Sequence, residues 1–148
     1  SKGSGSFKID HPLPEMRDTH HLVHSFIEGP KADLIYRGRV QLDQGSATVN
    51  LDEAAGMTEG TFTLLTRDTQ CFLTNDSGWS AIKGTVDGNI LEITCINNAS
   101  CDIINWMVIG ERQDIHMYQT TWTDADGHVI VEPLKEVVDD SSQSVPKP

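Results

Sequence analysis

Aromatic residues, basic residues and long apolar runs are all scarce in this chain, and each shortage removes a class of function. Lys and Arg number 11 against 22 Asp and Glu, a net charge of -11. An acidic surface repels phosphate backbones, so nucleic acid is excluded as a partner, and anionic membranes are disfavoured for the same reason. No apolar stretch approaches the roughly 18 residues of a membrane-spanning helix. The basic-then-apolar opening of a secretion signal is missing too, so the sequence reads as neither membrane-inserted nor carrying its own address. Only 3 cysteines are present, an odd count without the CxxC spacing of a metal site. Cys95 and Cys101 bracket Ile96 to Ser100 and would face one another across a loop in an oxidising compartment; small buried hydrophobes are the favoured reading of all three. There is no glycine-rich phosphate loop, no HExxH and no Gly-x-Ser-x-Gly elbow.

What remains is a chain of 148 residues, long enough for one domain with its own core. Residues 1–6, Ser-Lys-Gly-Ser-Gly-Ser, read as a flexible lead-in, residues 7–133 as the domain, and residues 134–148 as a polar acidic tail or linker. Phe7 and Ile9 alternate with Lys8 and Asp10, as in a strand with one buried face. Pro12 and Pro14 then force an extended arm.

The clearest architectural signal is Ile35 to Leu42, then Asp43-Gln44-Gly45-Ser46, then Ala47 to Leu51: a hairpin with Tyr36, Val40 and Leu42 on one parity and Ala47, Val49 and Leu51 matching them. Further strands are expected over Thr61 to Thr66, Gln70 to Thr74, Trp79 to Val86, Asn89 to Ile96 and Ile103 to Ile109, punctuated by Asn75 to Gly78, Asp87-Gly88, Asn97-Asn98 and Asp126-Gly127. Ile103 to Ile109 is apolar on both parities and reads as a central strand covered on both faces, with Gly110 releasing the chain. The one helical candidate is the turn Leu51 to Met57, stopped by Gly56. The expectation is an all-β fold, an antiparallel β-sandwich of about 8–10 strands with little helix.

Chemistry concentrates in Thr19-His20-His21-Leu22-Val23-His24-Ser25. On a strand His20, Leu22 and His24 share a face, and two imidazoles hold a metal only with help from His11, His116 or His128. Structural hydrogen bonding of these histidines is the favoured alternative. Ser25 as a nucleophile would draw on His24 or Lys31, with Glu28 orienting the base, but adjacent strand residues point to opposite faces, so His24 does not easily serve it. Trp106 belongs to the core. Trp79, Tyr118 and Trp122 lie in polar, turn-rich segments, where an exposed ring is a stacking platform for a sugar, a hot spot for a protein partner, or a lid on the sandwich end. The binding candidates are therefore Trp79, Tyr118, Trp122, His20 and His24; no catalytic residue, metal or cofactor is assigned.

Phe7-Lys8-Ile9-Asp10-His11-Pro12-Leu13, Thr19 to Ser25, Glu28-Gly29-Pro30, the Tyr36 to Val49 hairpin and Trp106 to Asp114, in that order, resemble a domain of tail-fibre and related virion proteins of tailed bacteriophages. The resemblance covers Phe7 to about Pro133. It implies a virion structural module, tail-fibre or spike type, made in the host cytoplasm and placed on a surface appendage, contacting itself as a homotrimer, other virion proteins, and a host-surface glycan or protein. Three copies on one axis add weak contacts into avidity. The alternatives are a folding or trimerisation module and a histidine-metal enzyme, the reading overall being of a binding domain rather than an enzyme.

Overall fold

The computed structural model describes residues 6–135, so the Gly-Ser lead-in up to residue 5 and the tail from residue 136 lie outside the described residues. Eight strands form three antiparallel sheets: β1 (Ser6–Asp10) with β2 (His21–Ser25); β3 (Asp33–Gln41), β8 (Ile103–Arg112) and β5 (Thr66–Asn75) in the order β3-β8-β5; and β4 (Ser46–Asn50), β7 (Ile90–Cys95) and β6 (Ile82–Asp87) in the order β4-β7-β6. The fold is the expected antiparallel sandwich. The two three-stranded sheets enclose Leu34, Tyr36, Ile104, Trp106 and Val108 from one side and Leu91 and Ile93 from the other, and the small β1-β2 sheet adds Phe7, Ile9 and Leu22.

The tight turn between β3 and β4 forms where its residues place it, but the expected hairpin does not: β3 pairs with β8 and β4 with β7, so this turn carries the chain from one sheet to the other. Gln44 and Gly45 both adopt positive φ, 51° and 79°, and Asp43 and Ser46 pair across them, the twist that a two-residue hairpin needs. Gly45 is also required sterically: a Cβ there would lie 2.7 Å from Asn98 Cα.

Two short helices close one end. Helix α1 (Leu51–Ala55) is the expected turn: the Asn50 side chain accepts from Glu53 N and Gly56 ends it in the left-handed conformation. Helix α2 (Thr61–Leu65) corrects the strand expected over Thr61 to Thr66. The cause is tertiary. The buried Asp52 carboxylate accepts from Gly60 N at 2.9 Å and Phe62 N at 2.8 Å, holding the orphan donors of the first turn, while Thr66 Oγ1 donates to Phe62 O at 2.8 Å. These bonds turn Phe62 and Leu65 into the core, which a local alternation pattern cannot foresee.

Strand β8 is central, as expected, but it continues through Gly110 to Arg112 and is covered fully on one face only. Ile104, Trp106 and Val108 are buried, whereas Ile103 is exposed and Asn105, Met107 and Ile109 are half-buried. Gly110 does not release the chain; its missing Cβ makes room for Thr66, whose own Cβ would stand 2.8 Å away. The expected strand starting at Trp79 begins at Ile82, because Asn75 Oδ1 accepts from Ser77 N and Gly78 N and holds the segment before it as a turn. All three cysteines are free thiols.

Candidate functional site

A groove of about 270 Å³ lies where the β1-β2 sheet meets the start of β3 and the end of β8. Its floor is Phe7 and Leu34, both buried, and its walls are Phe26 and Ile27 from the β2-β3 connection and Trp122 and Val129 from the C-terminal loop. Phe26, Ile27 and Trp122 are 48%, 44% and 48% exposed, so three large apolar side chains stand half out of the protein around one depression. Glu28, Lys31, Asp33 and Arg112 complete the lining.

The groove is built on fixed geometry. The Arg112 guanidinium sits 3.9 Å over the Phe7 ring centroid and is held there by a bidentate pair with Asp114, both bonds 2.8 Å. Phe7 also stacks on His24 at 5.6 Å. His24 Nδ1 lies 2.7 Å from Val23 O, an acceptor, so Nδ1 donates there and Nε2 accepts from the Tyr36 hydroxyl at 2.9 Å. Burial, and then the Asp52 charge, raise the Tyr36 pKa well above the ordinary phenol value, which keeps that hydroxyl protonated as a donor.

The loop carrying Trp122 is pinned by Glu111. This side chain is 3% exposed and accepts from His128 Nδ1 at 2.9 Å, with Arg67 Nε 3.7 Å from its other oxygen. Arg67 Nη2 also lies 3.2 Å from His128 Nδ1; since a guanidinium and a donating Nδ1–H do not bond each other, the Glu111 contact assigns the ring. His128 N and Asp126 N both donate to Asp124 Oδ1, shaping the turn, and Ile130 N donates to Trp122 O. These turn bonds, led by that from His128 N, hold the Asp124 carboxyl below its ordinary range. Asp33 sits directly opposite Glu111 across β3 and β8. Burial and that neighbouring carboxylate raise its pKa, with Lys31 opposing.

The five binding candidates from the sequence do not converge. Trp122 lines the groove, and His24 braces it from behind Phe7. Tyr118 is adjacent to the loop but faces Arg67, whose Nη1 donates to its hydroxyl at 3.3 Å. His20 is exposed beyond β2, its Nδ1 2.8 Å from Thr19 Oγ1. Trp79 is fully exposed in the turn after β5, which shares an end with Asp102 through the Asn75 amide, whereas Tyr118 and His128 contact Arg67 at the start of β5. A ten-residue strand separates those ends by roughly 30 Å. The loops around Trp79 and Trp122 are therefore two surfaces.

Among the described residues no group of three or more His, Cys, Asp or Glu side chains is placed to hold a metal ion. Ser25 lines the groove, yet both nitrogens of the neighbouring His24 are engaged elsewhere. The arrangement is a socket with an apolar floor and charges at the rim, suited to seating an apolar or aromatic group. Phe26 and Ile27 were missed by sequence reasoning; the available signal was two consecutive large apolar residues ahead of the polar, turn-forming Glu28-Gly29-Pro30. No protein-family model and no curated protein matched the chain.

Proposed function

We propose that this domain is a virion structural module of the tail-fibre or spike type, a binding domain rather than an enzyme, contributing to host-surface attachment. The observation that carries the binding part is the groove: Phe26, Ile27 and Trp122 stand half exposed around a floor fixed by the Arg112-Phe7-His24 stack. Large apolar side chains grouped in this way on a rigid scaffold mark contact sites, and aromatic rings supply most of the energy of such contacts. The virion part rests on the ordered resemblance from Phe7 to Asp114, with which an acidic, strand-rich module agrees in physical character. The ligand is an apolar or aromatic-faced group of a host-surface glycan or protein, seated on Trp122.

The test is an antibody raised against the folded domain. Labelling of tail appendages on purified virions, with slowed adsorption to host cells, is the expected result; virions that carry no label at all would overturn the assignment. A role in fibre folding or assembly is the second reading, favoured by the cluster of Ile35, Ile109, Met107 and Phe72 on the outer face of the β3-β8-β5 sheet.

A further inference from the structure

The two main sheets have outer faces of opposite character. Outside the β4-β7-β6 sheet stand Ser46, Thr48, Glu92, Thr94, Lys83, Thr85 and Asp87, the polar surface expected of a sheet face turned to water. Outside the β3-β8-β5 sheet the register aligns Ile35, Ile109 and Gln70 in one row, Arg37, Met107 and Phe72 in the next, and Arg39, Asn105 and Thr74 in a third. Ile35 is 38% and Phe72 48% exposed. Arg39 Nε donates to Asn105 Oδ1 at 2.9 Å, while Arg37 has no ion pair among the described residues.

We infer that a second copy of this chain covers this face. The register makes the face complementary to itself. Rotation by half a turn about an axis running along β8 lays β3 of one copy over β5 of the other and preserves height along the strands. Met107 then meets Met107 and Ile109 meets Ile109, forming an apolar centre. Arg37 falls over Phe72 of the second copy, a guanidinium on an aromatic face, and Arg39 falls over Thr74. Within these three rows no like charges oppose one another; one row beyond Ile109, Glu111 reaches the axis with its carboxylate already engaged by Arg67 and His128. Face-to-face packing near this alignment is the ordinary geometry of sheet stacking. Three strands over seven residues offer a flat area of roughly 300–400 Å² per copy. A standard interface uses about 800 Å² per partner. Isolated domains therefore pair transiently, and pairing becomes firm when the copies are held side by side.

Covalent trapping reads such a contact directly. In a Cys101→Ser background, which removes the exposed native thiol, Met107→Cys places one thiol on the axis and Thr85→Cys places one on the polar face as a control. On mild oxidation Met107→Cys is expected to convert to a disulfide-linked dimer with Thr85→Cys remaining at background. Adding Phe72→Asp to Met107→Cys removes the ring beneath Arg37 and lowers the trapped fraction about fivefold. Equal trapping at positions 107 and 85, or trapping indifferent to Phe72, would overturn the inference. The experiment uses no host cell or virion, so its outcome is independent of what the groove binds.

Discussion

Replacing Asp52 by Ala should cost the domain a large part of its stability, although Asp52 contacts no groove residue. Its carboxylate is 1% exposed and accepts three hydrogen bonds, from Gly60 N, Phe62 N and Asn89 Nδ2. Their losses are unequal. Asn89 Nδ2 keeps an acceptor in Glu59 Oε2 at 2.7 Å, so its loss is small. Phe62 N is buried and would be left without a partner, at about 2 kcal/mol, and Gly60 N, partly buried, adds about 1 kcal/mol. The sum, about 3 kcal/mol, compares with the 5–15 kcal/mol stability of ordinary domains. Urea denaturation followed by circular dichroism measures it as a lowered midpoint at unchanged slope. Amide exchange at Phe62 to Leu65 should accelerate most, because α2 owes its first turn to this carboxylate. Spectrophotometric titration should find the Tyr36 hydroxyl ionising at lower pH, though still raised by burial. A variant within about 1 kcal/mol of wild type, with α2 still protected, would refute the reasoning that Asp52 makes 61–65 helical.

Three further outcomes follow from the same structure. His11 is buried, its Nδ1 accepts from Leu13 N at 3.1 Å, and burial followed by the neighbouring His20 lowers its pKa below 6.5. A depressed histidine favours the folded state when neutral, so wild-type stability should fall as pH drops below about 6.5. His11→Asn, which keeps an acceptor for Leu13 N, should lose less, as read from urea midpoints between neutral and acid pH. Asp33 is raised by burial and by Glu111, so its ionised form costs the folded state free energy. Asp33→Asn should be the more stable protein at neutral pH in thermal melts, with the difference vanishing below pH 3.8, where both states are protonated. Gly38→Ala would set a Cβ 2.8 Å from the Trp106 ring, costing roughly 1–3 kcal/mol through overpacking and shifting tryptophan fluorescence.

The strands on either side of the Asp43 to Ser46 turn, the turn itself, the α1 turn with its Gly56 stop and the central place of β8 were legible because each is written locally, in alternation, turn residues and caps; that the two strands join different sheets instead of pairing as a hairpin was not, because partners are chosen by the whole fold. Helix α2 was not, because its carboxylate cap lies eight to ten residues away on α1. The two-sided burial expected of Ile103 to Ile109 failed for a related reason. An apolar run reports that both faces avoid water, but it does not distinguish a face covered within the chain from one left for contact. Of the groove, Trp122 was legible as an aromatic in a polar loop. Phe7 and Arg112 come from strands separated by about a hundred residues and meet only through the fold. His24 was read correctly as strand-borne, and its partners, Phe7 and Tyr36, depend on how the β1-β2 sheet packs against β3.

The groove as an attachment surface is tested most directly by competition. Purified domain, displayed on a trimeric carrier and added in excess, should slow adsorption of the virus bearing it to its host, whereas Trp122→Ala on the same carrier should lose most of that effect while keeping its fold and melting temperature. Equal competition by wild type and Trp122→Ala, or none by either, would contradict the account.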